Sequence, residues 1–196
     1  MNLHTPQTLA ARAECETIMS VTHNLLSPQA CKPSIGAVQD ALLGSWLLPA
    51  ADTFLPESLF MDCTMHVLHG DTPLPGPAIL KPRRLYTGKQ LAGALLPRDL
   101  VLRRGAPAGA DDEVLWVRHG ILHRGRLHKR AAGTSQGGLA HTIAVDLGAS
   151  RCMGFLSDLQ RTIACFLQRR GFSIGIGDCM ISTTTHDSVS RVITRA

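Results

Sequence analysis

The chain has 196 residues, 44% of them apolar but only 4% aromatic, and a formal net charge of +5. That length sets one or two domains, with a core resting on Leu, Ile, Val and Ala rather than on rings. No run approaches the roughly 18 apolar residues of a membrane span, residues 1–20 carry His4, Arg12, Glu14 and Glu16, and the six cysteines form no C-x-x-C. A membrane span, a secretory leader and a disulfide framework are therefore not expected, and the cysteines read as reduced, mostly buried thiols of an intracellular protein.

In chain order, Thr5-Pro6 offers a capping hydroxyl before a proline at the first helical position and predicts a helix over residues 6–19. Residues 24–33 read as loop. A second helix is expected over 34–47, with Val38, Leu42 and Trp46 on one face, and a third over 56–68, with Phe60, Cys63 and Val67 aligned. Pro73, Pro75, Pro77 and Pro82 make residues 70–84 extended or turn-like. A short helix over 87–96 closes at Pro97. Strands are expected over 100–103 and 114–117, the latter pairing with 121–127 through a hairpin at His119-Gly120. Residues 105–112 read as an exposed loop. Gly133 to Gly138 make a turn before a short helix.

The strongest pattern covers 149–170, where Cys152, Phe155, Leu156, Leu159, Ile163, Phe166 and Leu167 recur at spacings of three and four. Arg169-Arg170-Gly171 supplies its stop: cations at the negative helix end, then a glycine free to take positive φ. Another helix begins near Thr185 in the Ser/Thr-rich tail. The expected fold is mixed α+β, helices with small β-hairpins.

Charge is unevenly distributed. Residues 1–80 hold two Arg or Lys against seven Asp or Glu, and residues 81–196 hold eighteen against eight. No carboxylate falls between Val114 and Val145, where Arg118, Arg124, Arg126, Lys129 and Arg130 occur. Such a segment suits a polyanion, whether nucleic acid, nucleotide phosphates or an acidic protein, and it also describes an ordinary solvated face.

Three constellations invite a chemical reading. Gly133-Thr134-Ser135-Gln136-Gly137 fits the G-x-S-x-G elbow of serine hydrolases, with Asp158 or Asp178 and then His186 in the required order. The basic residues before it are not the buried strand that an elbow needs, and too few βα units could follow. Cys63, His66 and His69 fall three apart on one predicted helix, but the last lies well round the cylinder from the first, so a tetrahedral metal set is not expected. His119, His123, His128 and His141 add partly protonatable groups to the basic segment. Gly175-Ile176-Gly177 does not complete a dinucleotide fingerprint, and no paired-carboxylate motif is present. The residues alone offer no catalytic group and no metal site.

Four stretches in order carry more information. They are Asn2-Leu3-His4 with Pro6-Gln7; Ser27-Pro28-Gln29, Lys32-Pro33 and Gly36 through Val38-Gln39-Asp40; Lys81-Pro82-Arg83 with Leu85-Tyr86-Thr87-Gly88-Lys89-Gln90; and Gly171-Phe172-Ser173-Ile174-Gly175-Ile176-Gly177-Asp178. Lys129-Arg130, Gly133-Thr134-Ser135, Gly137-Gly138-Leu139 and His141 fall between the last two. This series resembles the largest subunit of the multisubunit DNA-directed RNA polymerases, the nuclear messenger-RNA type most of all. Arg84 stands where that family has proline and Tyr86 where it has tryptophan, and Cys179-Met180-Ile181 replaces its usual continuation.

The resemblance implies a pore-and-funnel segment: residues 1–24 the tail of the active-site domain, 25–142 the pore domain, 143–196 the start of the funnel. In such a nucleotidyltransferase this region lines the secondary channel through which nucleoside triphosphates enter and a backtracked RNA 3′ end is extruded during transcription. The family's magnesium-binding aspartates would precede Met1, so Mg²⁺ is expected in the intact polymerase with ligands from elsewhere, none bound by this chain alone, and no catalysis by the chain alone.

Asn2, His4, Gln39 and Asp40 are then expected beside the active centre, Lys81, Arg83, Lys89, Lys129 and Arg130 on the polyanion path, and Gly133, Gly175 and Gly177 meeting backbone demands. Implied partners are the other polymerase subunits, especially the second-largest, with template DNA indirectly and no membrane. The implied setting is the nucleus, with a viral factory or virion as the other. The rival readings are a stand-alone basic RNA-binding module derived from a polymerase gene and a serine hydrolase using Ser135.

Overall fold

The computed structural model describes residues 2–105 and 114–195, with Arg195 described by its backbone alone. Most of the loop expected over 105–112 therefore lies outside the described residues. The first helix, α1, spans Leu9–Thr17 and starts at Thr8, whose hydroxyl accepts the Ala11 N–H at 3.1 Å. Thr8, not Thr5, is thus the cap, and none of the α1 residues is buried. The stretch read as loop holds a two-rung hairpin, β1 (Leu26–Ser27) with β2 (Lys32–Pro33).

Helix α2 runs over Gln39–Leu47. It does not begin at residue 34, because the segment before it stays extended and docks elsewhere: the Ala37 N–H donates to the Ala132 carbonyl at 2.9 Å. Strand β3 (Phe54–Pro56) leads directly into α3 (Glu57–Thr64). Strand β4 (Leu85–Thr87) pairs antiparallel with β3 and leads directly into α4 (Gly88–Ala94). Strands β5 (Val101–Arg104), β6 (Leu115–Arg118) and β7 (Ile121–Arg124) form one antiparallel meander. At the β6–β7 hairpin His119 and Gly120 have φ of 51° and 72°, the paired positive values that a two-residue hairpin turn requires.

Beyond β7 the regular elements among the described residues are helices: α5 (Lys129–Ala132), α6 (Leu139–Asp146), α7 (Ala149–Arg170), α8 (Ile176–Cys179) and α9 (Thr183–Arg195). A domain division at 142/143 would fall within α6. Long α7 is the axis of the core, with α2, α3 and α6 packed around it. Its buried side chains include Cys152, Phe155, Leu159, Ile163 and Phe166, as its periodicity predicts. Gly171 ends it at φ 69°.

The expected face of α2 is not the buried one. Ala41, Gly44, Ser45 and Leu47 face inward, whereas Val38 and Trp46 are exposed. The cause is the closeness of α2 to α7: a Cβ on Gly44 would lie 2.3 Å from Ile163 Cγ2, so only a small-residue face fits there. Trp46, turned outward, is covered by the Arg126 guanidinium at 4.5 Å from its ring centroid. On α3, Phe60 stacks on Tyr86 with centroids 4.0 Å apart, so tyrosine fills the slab position that the sequence assigns to it. Residues 171–194 are all exposed, including Phe172, Ile174, Ile176 and Met180. No helix among the described residues is long and apolar enough to cross a membrane.

Candidate polyanion site

The Thr87-Gly88-Lys89-Gln90 motif sits where a strand becomes a helix, and three of its four residues hold the fourth in place. Thr87 and Gln90 form a reciprocal capping box: the Thr87 hydroxyl accepts the Gln90 N–H at 3.2 Å and Gln90 Oε1 accepts the Thr87 N–H at 2.9 Å. The remaining Gln90 nitrogen donates to the Gly76 carbonyl at 2.8 Å, fastening the proline-rich segment over α4. Gly88 lets the backbone pass close to Leu48, and its N–H donates to the Thr53 carbonyl at 3.0 Å. Lys89, half-buried, is left to line a cavity of about 470 Å³.

Pro73, Leu74, Pro75, Ala94 and Ile121 supply the apolar part of this cavity, and Arg98 and His119 join Lys89 as its other basic groups. The proline-rich wall has a second anchor in Asp71. Its Oδ1 accepts the Arg98 N–H at 3.0 Å, and its Oδ2 meets the Arg151 guanidinium. Burial pushes the Asp71 carboxyl up, but these donors outweigh burial and hold it below its ordinary value of 3.8. A depressed folded value makes the anchor complete above 3.8 and weaker as pH falls through that lower value. Asp71→Ala is therefore expected to speed amide exchange at Arg98, whose N–H loses its acceptor, at neutral pH, where the parent is fully anchored. Unchanged exchange would refute the anchor.

A second basic cluster lies at the far end of the β5–β6–β7 sheet. Register pairs Val101 with Arg118 at one end and Arg104 with Leu115 at the other, about 10 Å apart along the strands. Arg104, His128 and Arg130 line a cavity of about 220 Å³ there. Arg104 Nη1 donates to the Gln136 carbonyl at 3.1 Å, and a Cβ on Gly137 (φ 64°) would collide with the guanidinium. The Gly133 to Gly138 turn thus cradles an arginine. His128 caps α5, its Nδ1 accepting the Ala131 N–H at 3.2 Å.

The remaining expected residues are dispersed. Lys81 and Arg83 are exposed between Ile79 and Leu85, which bond each other in both directions, and neighbouring Arg84 pairs with Glu57 at 3.2 Å. Lys129 is exposed on α5. Asn2 and His4 are exposed ahead of α1; Gln39 is exposed at φ 48°; Asp40 opens α2, where a carboxylate suits the helix dipole. Gly133 has φ −84°, and a Cβ there would meet the Lys129 carbonyl oxygen at 2.4 Å, so close approach governs it. Gly175 is at φ −92° with only Asp178 Oδ2 nearby at 3.8 Å, and Gly177 faces open space.

Of the basic groups that line the two cavities, Arg98 and Arg104 are those that sequence reading did not single out. Each stands outside the carboxylate-free run, and only folding brings them beside Lys89 and Arg130. Ser135 is half-buried, and no histidine hydrogen-bonds its hydroxyl among the described residues. Asp158 is taken up by His69, and His186 rides the exposed α9 beside Asp187. Among the described residues no three His, Cys, Asp or Glu side chains converge as a metal set.

Residues 24–179 match the family model described as RNA polymerase Rpb1, domain 3. Two relatives from Trypanosoma brucei brucei, the DNA-directed RNA polymerase II subunits RPB1-A and RPB1-B, are each 35% identical over all of this chain. The alignment spans 11% of either relative's length. On the extent of the family match, together with the ordered motifs, this chain belongs to the Rpb1 family of RNA polymerase largest subunits.

Proposed function

We propose that this segment walls the route by which triphosphates and an extruded RNA 3′ end reach and leave the active centre of a DNA-directed RNA polymerase. The carrying observation is the cavity that gathers Lys89, Arg98 and His119 among apolar walls. Cations beside low-dielectric walls focus field lines and raise the local concentration of a polyanion. Lys89 is presented by a capped helix start, so little ordering is needed when a phosphate arrives. Arg130, with Arg104 and His128, lines a second basic cavity at the far end of the same sheet, and exposed Lys129 stands beside it in the chain.

Phosphodiester formation would use Mg²⁺ held by residues outside this segment. This chain's part is to guide and exclude, in assembly with the second-largest and other subunits, with template DNA contacted indirectly. The polymerase II relatives favour the nucleus over a viral factory or virion as its place of action.

The test uses a polymerase assembled on a largest subunit that carries this segment. Lys89→Glu with Arg98→Glu is expected to raise the KM for nucleoside triphosphates about tenfold with kcat little changed, and the effect should fade as salt screens the field. An unchanged KM at low ionic strength overturns the reading. The rival, a stand-alone RNA-binding module, would instead purify as a stable monomer that binds RNA without any second-largest subunit.

A further inference from the structure

Cys63 and Cys165 are 102 residues apart in sequence and face each other across the α3–α7 contact, with their sulfurs 3.7 Å apart. Among the described residues no other pair of cysteine sulfurs is in contact. Cys63 is fully buried on the inner face of α3, whereas Cys165 is partly open to solvent. An ion pair joins the same two helices at the same level: Arg169, one turn beyond Cys165, reaches Asp62, the neighbour of Cys63, at 3.5 Å. The helices are thus held in a register that keeps the thiols opposed.

We propose that Cys63 and Cys165 form a reversible disulfide when a hydroperoxide reaches the chain, stapling α3 to α7. A disulfide bond is about 2.05 Å long, so the sulfurs must close by roughly 1.7 Å, within reach of side-chain rotation and a small helix adjustment.

The order of events follows from exposure. The Cys165 sulfur attacks one oxygen of the hydroperoxide, and its proton passes to the departing oxygen. The O–O bond breaks, an alcohol (water, from hydrogen peroxide) departs, and Cys165 becomes a sulfenic acid. The Cys63 sulfur then attacks the Cys165 sulfur; the S–O bond breaks as the S–S bond forms, and the Cys63 proton leaves with the hydroxyl as water. The two thiols have lost two electrons and the peroxide has gained them. Cys63 lies out of the hydroperoxide's reach and takes no part in the first step; burial, reinforced by the Cys165 thiol, pushes it up to about 12, so it gives up its proton only as the hydroxyl departs. A small thiol reverses the link by exchange. The staple would tie to α7 the helix that precedes the proline-rich wall in the chain.

The experiment treats the purified full chain with hydrogen peroxide at neutral pH, blocks free thiols, and maps peptides by mass spectrometry without reduction. A Cys63–Cys165 link is expected to exceed any link through exposed Cys31 or Cys179 by about tenfold, since proximity replaces random encounter. Urea during oxidation should erase that preference, and dithiothreitol should remove the link. Cys63→Ser should leave Cys165 trappable as its sulfenic acid by dimedone. Links scattered equally among the cysteines, or a dimedone adduct persisting on Cys165 of the parent with no link, overturn the proposal. Mapping of the unaltered chain decides the matter even if a variant fails to fold.

Discussion

Gly88→Ala is expected to destabilise the chain by about 3 kcal/mol or more, read as a lower urea midpoint. A Cβ at this position would lie 1.7 Å from the Leu48 carbonyl oxygen and 2.7 Å from its carbon. Both are backbone atoms at the end of α2, so neither can swing aside as a side-chain tip could. Relief would require separating β4 from the 48–53 connection, breaking the Gly88 N–H bond to the Thr53 carbonyl and disturbing the β3–β4 pairing. Gly76→Ala is the control: nothing lies within 4 Å of its added Cβ, and it should be nearly neutral. A near-parental midpoint for Gly88→Ala would show that the close approach is not obligatory. Because α4 begins at Gly88, the same substitution should also loosen Lys89 and weaken polyanion binding. The glycine of the motif therefore acts through packing and the lysine through charge.

Asp158→Ala is expected to cost about 3 kcal/mol. The carboxylate is 1% exposed on α7, and it accepts the His69 backbone N–H at 2.7 Å and meets the His69 ring Nδ1 at 2.9 Å. Alanine would leave a backbone donor without its acceptor on the connection between α3 and the proline-rich wall. The His69 side chain is 53% exposed, so its share of the pair is screened by water. His69→Ala should accordingly cost less than Asp158→Ala, and Asp158→Asn, which keeps one acceptor oxygen, should fall between them. Equilibrium urea unfolding of the three variants gives the order. An Asp158→Ala chain as stable as the parent would show that the carboxylate is not needed there. His69 also packs close to Gly154, whose added Cβ would come within 2.9 Å of the His69 Cβ, so the clamp joins shape to hydrogen bonding.

Long periodic elements and short turns with special backbone demands were legible in advance. Residues 149–170 repeat their apolar side chains over six turns of helix, enough for the pattern to outweigh any local exception. The β6–β7 hairpin was legible because glycine at 120 licenses a positive-φ turn between alternating strands. The β3–β4 ladder was not: each strand has three residues, too few to show alternation, and their pairing spans a proline-rich excursion. The face of α2 was misread for a related reason. Gly44 carries no hydrophobic signal, yet its lack of a side chain lets two helices touch, and that depends on Ile163 far along the chain.

What the sequence determined by itself was kinship and the surplus of cations: ordered motifs are local strings, and charge is counted without knowing where the chain goes. Which basic groups meet was decided only in three dimensions. Lys89, Arg98 and His119 come from a helix start, a connector and a hairpin turn, and they share one cavity because Gln90 and Asp71 fasten the proline-rich segment across them. The physical reason is that a binding surface is built from contacts between distant segments, while sequence pattern reports only each segment's own preference for helix, strand or turn.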